Sequence, residues 1–172
     1  DTPKAWPNTA VSTWLNGGLF GGGAAGAMYW TMFGDGGGTI TKWSFADDSR
    51  TTLVATLDYP TWGGGGCSNS GVAGYMIGGA NGPQNTYVQK LEYAADTAST
   101  LGSPTAYFAA TYDDRAMSNS GVAGYSGGGC CHTDLYHKVN FSTEAISTLT
   151  ATMSTPRDAG ACMSDSGTAG YT

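Results

Sequence analysis

An octapeptide written three times constrains this chain more than any other feature. Ser68 to Tyr75 reads SNSGVAGY, Ser118 to Tyr125 reads SNSGVAGY again, and Ser164 to Tyr171 reads SDSGTAGY. Copies spaced by 50 and 46 residues do not arise from composition, so the chain is a repeat protein, and every residue has to be read by its place in the repeat. A second ladder runs in step with the first. Lys42, Lys90 and Lys138 are followed three residues later by Phe45, Tyr93 and Phe141, and farther on by Leu53, Leu101 and Leu149. Spacing from lysine to leucine never changes. Constant spacing marks packed structure, and the variable lengths elsewhere mark surface loops. The units are 29–67, 68–117 and 118–163, with a partial unit at 164–172 and a glycine-rich partial repeat at 1–28, where Val11 to Leu15 resembles Ile146 to Leu149.

Within a unit the apolar residues alternate in short runs bounded by glycine and polar clusters, the pattern of half-buried strands, and no run holds a helical period. In the second unit Val72–Ile77, Thr86–Tyr93, Ala98–Leu101 and Ala106–Thr111 are the expected strands. Four strands in about 48 residues is the arithmetic of a propeller blade, against about 50 for a kelch repeat. The expected fold is all-β, a propeller or partial propeller of four-stranded blades.

The motifs resemble kelch-type repeats. An apolar strand closes on a double glycine at Gly78-Gly79 and at Gly127-Gly128-Gly129, and Tyr87 and Tyr136 stand near that family's tyrosine. The resemblance covers about residues 27–172 and departs at Leu101 and Leu149, where kelch units carry tryptophan. It is nearest in kind to the divergent kelch-like repeats of phage and environmental surface proteins, whose phrasing is carried by Phe141 to Leu149, FSTEAISTL. Three units and two pieces are too few for a closed ring, which needs at least four blades. The expectation divides among a section of a longer propeller, closure by pairing of the two partial units, and a dimer of half-propellers.

Charge excludes some partners. Seven Lys and Arg residues against thirteen Asp and Glu give a net charge of −6, unsuited to sequence-independent binding of nucleic acid or of an anionic membrane. No run of 18 apolar residues occurs, so membrane insertion by a helix is not expected.

Chemistry-bearing residues are few. Cys130, Cys131, His132 and His137 form the one group with metal-ligand chemistry, but adjacent cysteines do not suit a C-x2-C zinc site. The preferred reading is disulfides: Cys67, Cys130, Cys131 and Cys162 allow two bridges, with Cys67 pairing to Cys130 or Cys131 rather than across a blade to Cys162. Recurring aspartates such as Asp47-Asp48, Asp96 and Asp113-Asp114 are read as turn formers, since Asp bonds its own backbone. No catalytic triad assembles from two histidines in one loop, and no glycine run has the lysine of a phosphate loop. Trp62 and Tyr112, in irregular segments, are the candidates for stacking on a ligand such as a sugar.

The expected function is that of a non-enzymatic structural or adhesive surface protein without a cofactor. Its setting would be extracellular or a virion appendage such as a phage tail or fibre, an expectation that comes from the resemblance. Its expected partners are other structural proteins, a second copy meeting it through open strand edges, or a cell-surface glycan. The alternative is a secreted propeller enzyme, a glycosidase or, as the kelch resemblance implies, a copper oxidase.

Overall fold

Alternation of apolar and polar residues, broken every few positions by glycine, leaves hairpins as the only local structure that buries one face at a time. The computed structural model bears this out. It describes residues 38–44, 46–59, 64–79, 87–101, 115–119, 121–128, 134–156, 162–165 and 167–172, together with the backbone of 27–31. Among the described residues all regular structure is antiparallel β-sheet, with no helix.

The first sheet has the order β1 (Ala27–Thr31), β2 (Thr39–Ser44), β3 (Arg50–Thr56), with a bulge near Thr39. The second runs β4 (Gly65–Asn69), β5 (Ala73–Ile77), β6 (Val88–Glu92), β7 (Thr97–Leu101). The third repeats it with β8 (Arg115–Asn119), β9 (Ala123–Gly127), β10 (Tyr136–Asn140) and β11 (Ile146–Thr148). A fourth contains β12 (Met163–Asp165) and β13 (Ala169–Tyr171).

Three of the four strands expected in the second unit are found in place as β5, β6 and β7. The fourth, 106–111, lies outside the described residues. The sheet is instead filled by β4, which the sequence pattern hid. Its residues, GGCSN, show no apolar alternation because the neighbouring sheet presses on them: a Cβ on Gly65 would lie 2.9 Å from the Ala116 Cβ and 3.0 Å from Ser126 Oγ. Each octapeptide therefore straddles a hairpin, and divisions at Ser68, Ser118 and Ser164 fall inside β4, β8 and β12. Val72 N–H donates to Asn69 O at 2.9 Å and Gly71 holds φ 72°, a backbone that glycine adopts without a Cβ penalty. The Val122–Asn119 and Thr168–Asp165 bonds repeat the turn.

The core lies between sheets. Ile40, Leu57 and Leu91 join the first sheet to the second, with Leu53, Met76 and Tyr93 packed around them. Between the second and third, Tyr75, Ile77, Val88, Ala116, Val139 and Phe141 form the larger cluster. Strand β4 packs against β8 and β9, and β8 in turn against β12 and β13. Close approach is built into the octapeptide's second glycine. A Cβ on Gly124 would fall on Cys67 Sγ, and one on Gly170 on Met117 Sδ, so each glycine seats a sulfur side chain of the preceding sheet.

Polar contacts lock the same interfaces. Ser68 N–H donates to Ser118 Oγ at 2.8 Å, and Ser164 Oγ donates to Ser118 O at 2.7 Å. Lys42 reaches Asp96 at 2.8 Å and Lys90 reaches Glu144 at 2.6 Å, each across the same sequence interval of 54. Asp48, Asp96 and Glu144, six residues after the three lysines, all stand in the left-handed region at φ 55°, 51° and 55°. Lys42 and Lys90 thus each grip the acid of the following unit.

Candidate binding face at the long-loop end

Antiparallel order sorts the connections by length. In the second and third sheets the tight turns, from first to second strand and from third to fourth, lie at one end. The long connections, 57–64, 102–114 and 149–162 between sheets and 78–87 and 128–135 within them, leave from the other end. Trp62 and Tyr112 belong to these connections, as do Cys130, Cys131 and His132. All five lie outside the described residues.

What the structure describes at that end is an aromatic pair that sequence reasoning missed. The rings of Tyr59 and Tyr87 stack with centroids 3.7 Å apart and planes 12° off parallel. Gln89, 2% exposed, holds the pair: its Oε1 accepts from Tyr59 N–H at 3.0 Å and its Nε2 donates to Tyr59 O at 2.7 Å. A buried amide that satisfies both backbone groups of one residue fixes the start of the 57–64 connection. Thr100 Oγ1 donates to Asp58 Oδ2 at 2.6 Å and fastens the next carboxylate. Tyr59 keeps 37% of its surface in solvent, and the hydrogen bond with Tyr87 raises its phenol above the usual range. A fixed, exposed ring flanked by a carboxylate suits stacking against a flat apolar surface such as the face of a sugar. The signal available in sequence was Tyr87, read only as a family tyrosine; its partner 28 residues earlier carried no motif.

His137 faces inward. It is 7% exposed, its Nδ1 lies 3.1 Å from Thr148 Oγ1 across the β10–β11 ladder, and burial lowers its pKa to about 4. That environment holds the imidazole neutral. Cys67 and Cys162 are free thiols, so the expected bridge from Cys67 is not formed. Cys67 Sγ is instead enclosed at Gly124, and burial pushes its pKa up to about 12. Burial also raises Cys162. Among the described residues no three His, Cys, Asp or Glu side chains are grouped to hold a metal ion. The aspartates divide in role. Asp47 caps its own turn, accepting from Ser49 N–H at 3.2 Å and Ser49 Oγ at 2.8 Å, whereas Asp96 is an inter-sheet ligand for Lys42.

No protein-family model matches this chain, and no curated protein matches it. The resemblance to kelch repeats rests on the motifs alone.

Proposed function

We propose that the chain is a non-enzymatic structural and adhesive module, a kelch-like propeller or a section of one, that presents its long connections to an extracellular or virion-borne partner. One observation carries this reading. Sheets locked to one another by a repeating set of contacts send, in the two four-stranded sheets, the tight turns to one end and the long connections, variable in length, to the other. Such a stack is a rigid support beneath an adaptable face, the division of labour used by binding scaffolds. The left-handed backbone of Gly78, Gly79 and Gly128, at φ 70°, 96° and 76°, gives the double-glycine motif a structural reason and supports the kelch reading. The ligand class favoured by Tyr59, Tyr87 and the tryptophan at position 62 is a glycan.

A glycan array probed with the intact chain, followed by titration of the best ligand, tests the proposal. Saturable binding without turnover is expected, weakened about tenfold by Tyr59→Ala, in line with the ~0.5–1.5 kcal/mol an aromatic contact contributes. Cleavage or oxidation of the sugar would establish an enzyme instead, and silence across the array would remove the adhesive reading.

A further inference from the structure

Tyr59 and Tyr87 hold a redox chemistry that binding leaves unused. Among the described residues they are the one pair of tyrosines whose rings stack on each other. The other described stack, Tyr75 on Phe141, lies in the core and contains a single phenol. Tyr93 turns inward to Ser68 Oγ, and Tyr171, 56% exposed, has no ring against it among the described residues. Tyr59 is exposed and Tyr87 half-buried, so an oxidant in solution reaches the pair.

Removing one electron and one proton from a phenol leaves a radical whose spin is shared by the oxygen and the ring carbons beside and opposite it. Two such radicals couple when their rings meet face to face. The Tyr59 and Tyr87 centroids, 3.7 Å apart with planes 12° off parallel, already stand in that arrangement. Holding reacting atoms at about 3–3.5 Å turns a bimolecular encounter into a unimolecular step. The two hydroxyls are hydrogen-bonded, which sets the oxygen-bearing edges together and the Cε carbons of one ring over those of the other. Gln89 fixes the Tyr59 backbone through both of its polar groups, and Tyr87 immediately precedes β6. The exposed Tyr59 ring can still turn from the stack into the twisted shape of a biaryl.

We propose that Tyr59 and Tyr87 are an oxidative cross-linking site, joined carbon to carbon as an intrachain dityrosine by a peroxidase-type one-electron oxidant acting with hydrogen peroxide. Each phenol gives up one electron and its hydroxyl proton, and the Cε–Cε bond forms between the two radicals. The hydrogen left on each coupled carbon then moves to the oxygen and restores the phenol. Two hydrogens are lost in all, and the peroxide is reduced to two waters. The product spans 28 residues of sequence and ties the exit of β3 to the entry of β6, across the interface where Ile40, Leu57 and Leu91 pack. The joint between first and second sheets thereby gains a covalent bond at the end away from the Lys42–Asp96 grip. The inference rests on the ring pair and is independent of the adhesive reading.

The test treats the intact chain with a haem peroxidase and limiting hydrogen peroxide, and reads dityrosine fluorescence, intact mass and a peptide map. A monomer lighter by two hydrogens is expected, with residues 59 and 87 joined and a yield independent of protein concentration. Tyr59→Phe and Tyr87→Phe, which keep both rings, should each lower intrachain dityrosine at least tenfold, and Tyr171→Phe should leave it unchanged. Unfolding in urea before oxidation should abolish the 59–87 link, because the fold brings the rings together. Dityrosine found only between chains or at other tyrosines overturns the inference, as does oxidation that leaves residues 59 and 87 unjoined. A signal retained by the two phenylalanine variants, or a 59–87 link formed equally in urea, also overturns it.

Discussion

Three residues show how strongly position in the stack governs chemistry. His137 would titrate near pH 6.5 in an unfolded chain, but burial lowers its folded value to about 4. The unfolded chain therefore takes up a proton before the folded one, so the contribution is fully present above pH 6.5 and is lost as pH falls toward 4. His137→Gln should flatten the acid limb of a denaturation series between those values by roughly 1–3 kcal/mol; unchanged pH dependence would show that the imidazole is solvated. Cys67, enclosed at Gly124, has become a small apolar core residue, although in the sequence it invited a disulfide. Tyr93 has likewise turned inward, its phenol pushed up to about 12 by burial while its hydroxyl stays 3.0 Å from Ser68 Oγ.

At the scale of elements, the lysine–acid grip joins β2 to the turn after β6, and β6 to the turn after β10. Glu144, with Glu92 second, raises Lys90 above its ordinary value. That contribution is fully present below the unfolded lysine pKa of about 10.4 and is lost at higher pH. Because Glu144 is over a third exposed, the pair is worth at most about 1 kcal/mol. A double-mutant cycle with Lys90→Met and Glu144→Gln should return a coupling of that size at pH 7 that shrinks above pH 11; zero coupling at both would remove the grip as an energetic feature. The sequence made β5, β6 and β7 legible through alternation, and the fixed lysine-to-leucine spacing announced that this segment is packed. It could not disclose β4, whose glycines and serines answer to another sheet rather than to a pattern of their own. Nor could it show that Asp96 and Glu144 serve a neighbouring unit, because acids in turns have an adequate local explanation. The Tyr59–Tyr87 pair was hidden for the same reason: long-range contact leaves no trace in spacing.

For the whole molecule, the octapeptide glycines of the third and fourth sheets, Gly124 and Gly170, each seat the sulfur residue of the sheet before, Cys67 and Met117. The support proposed for the long connections rests on that packing. The Cβ position at Gly124 lies 3.2 Å from Cys67 Cβ, within a few tenths of an ångström of the separation a disulfide spans. Gly124→Cys, in a chain whose Cys130, Cys131 and Cys162 are replaced by serine, therefore tests the packing directly. After mild oxidation, peptide mapping should find residues 67 and 124 joined and the intact chain lighter by two hydrogens. Two free thiols in a protein that retains its sheet spectrum would contradict the stacked arrangement.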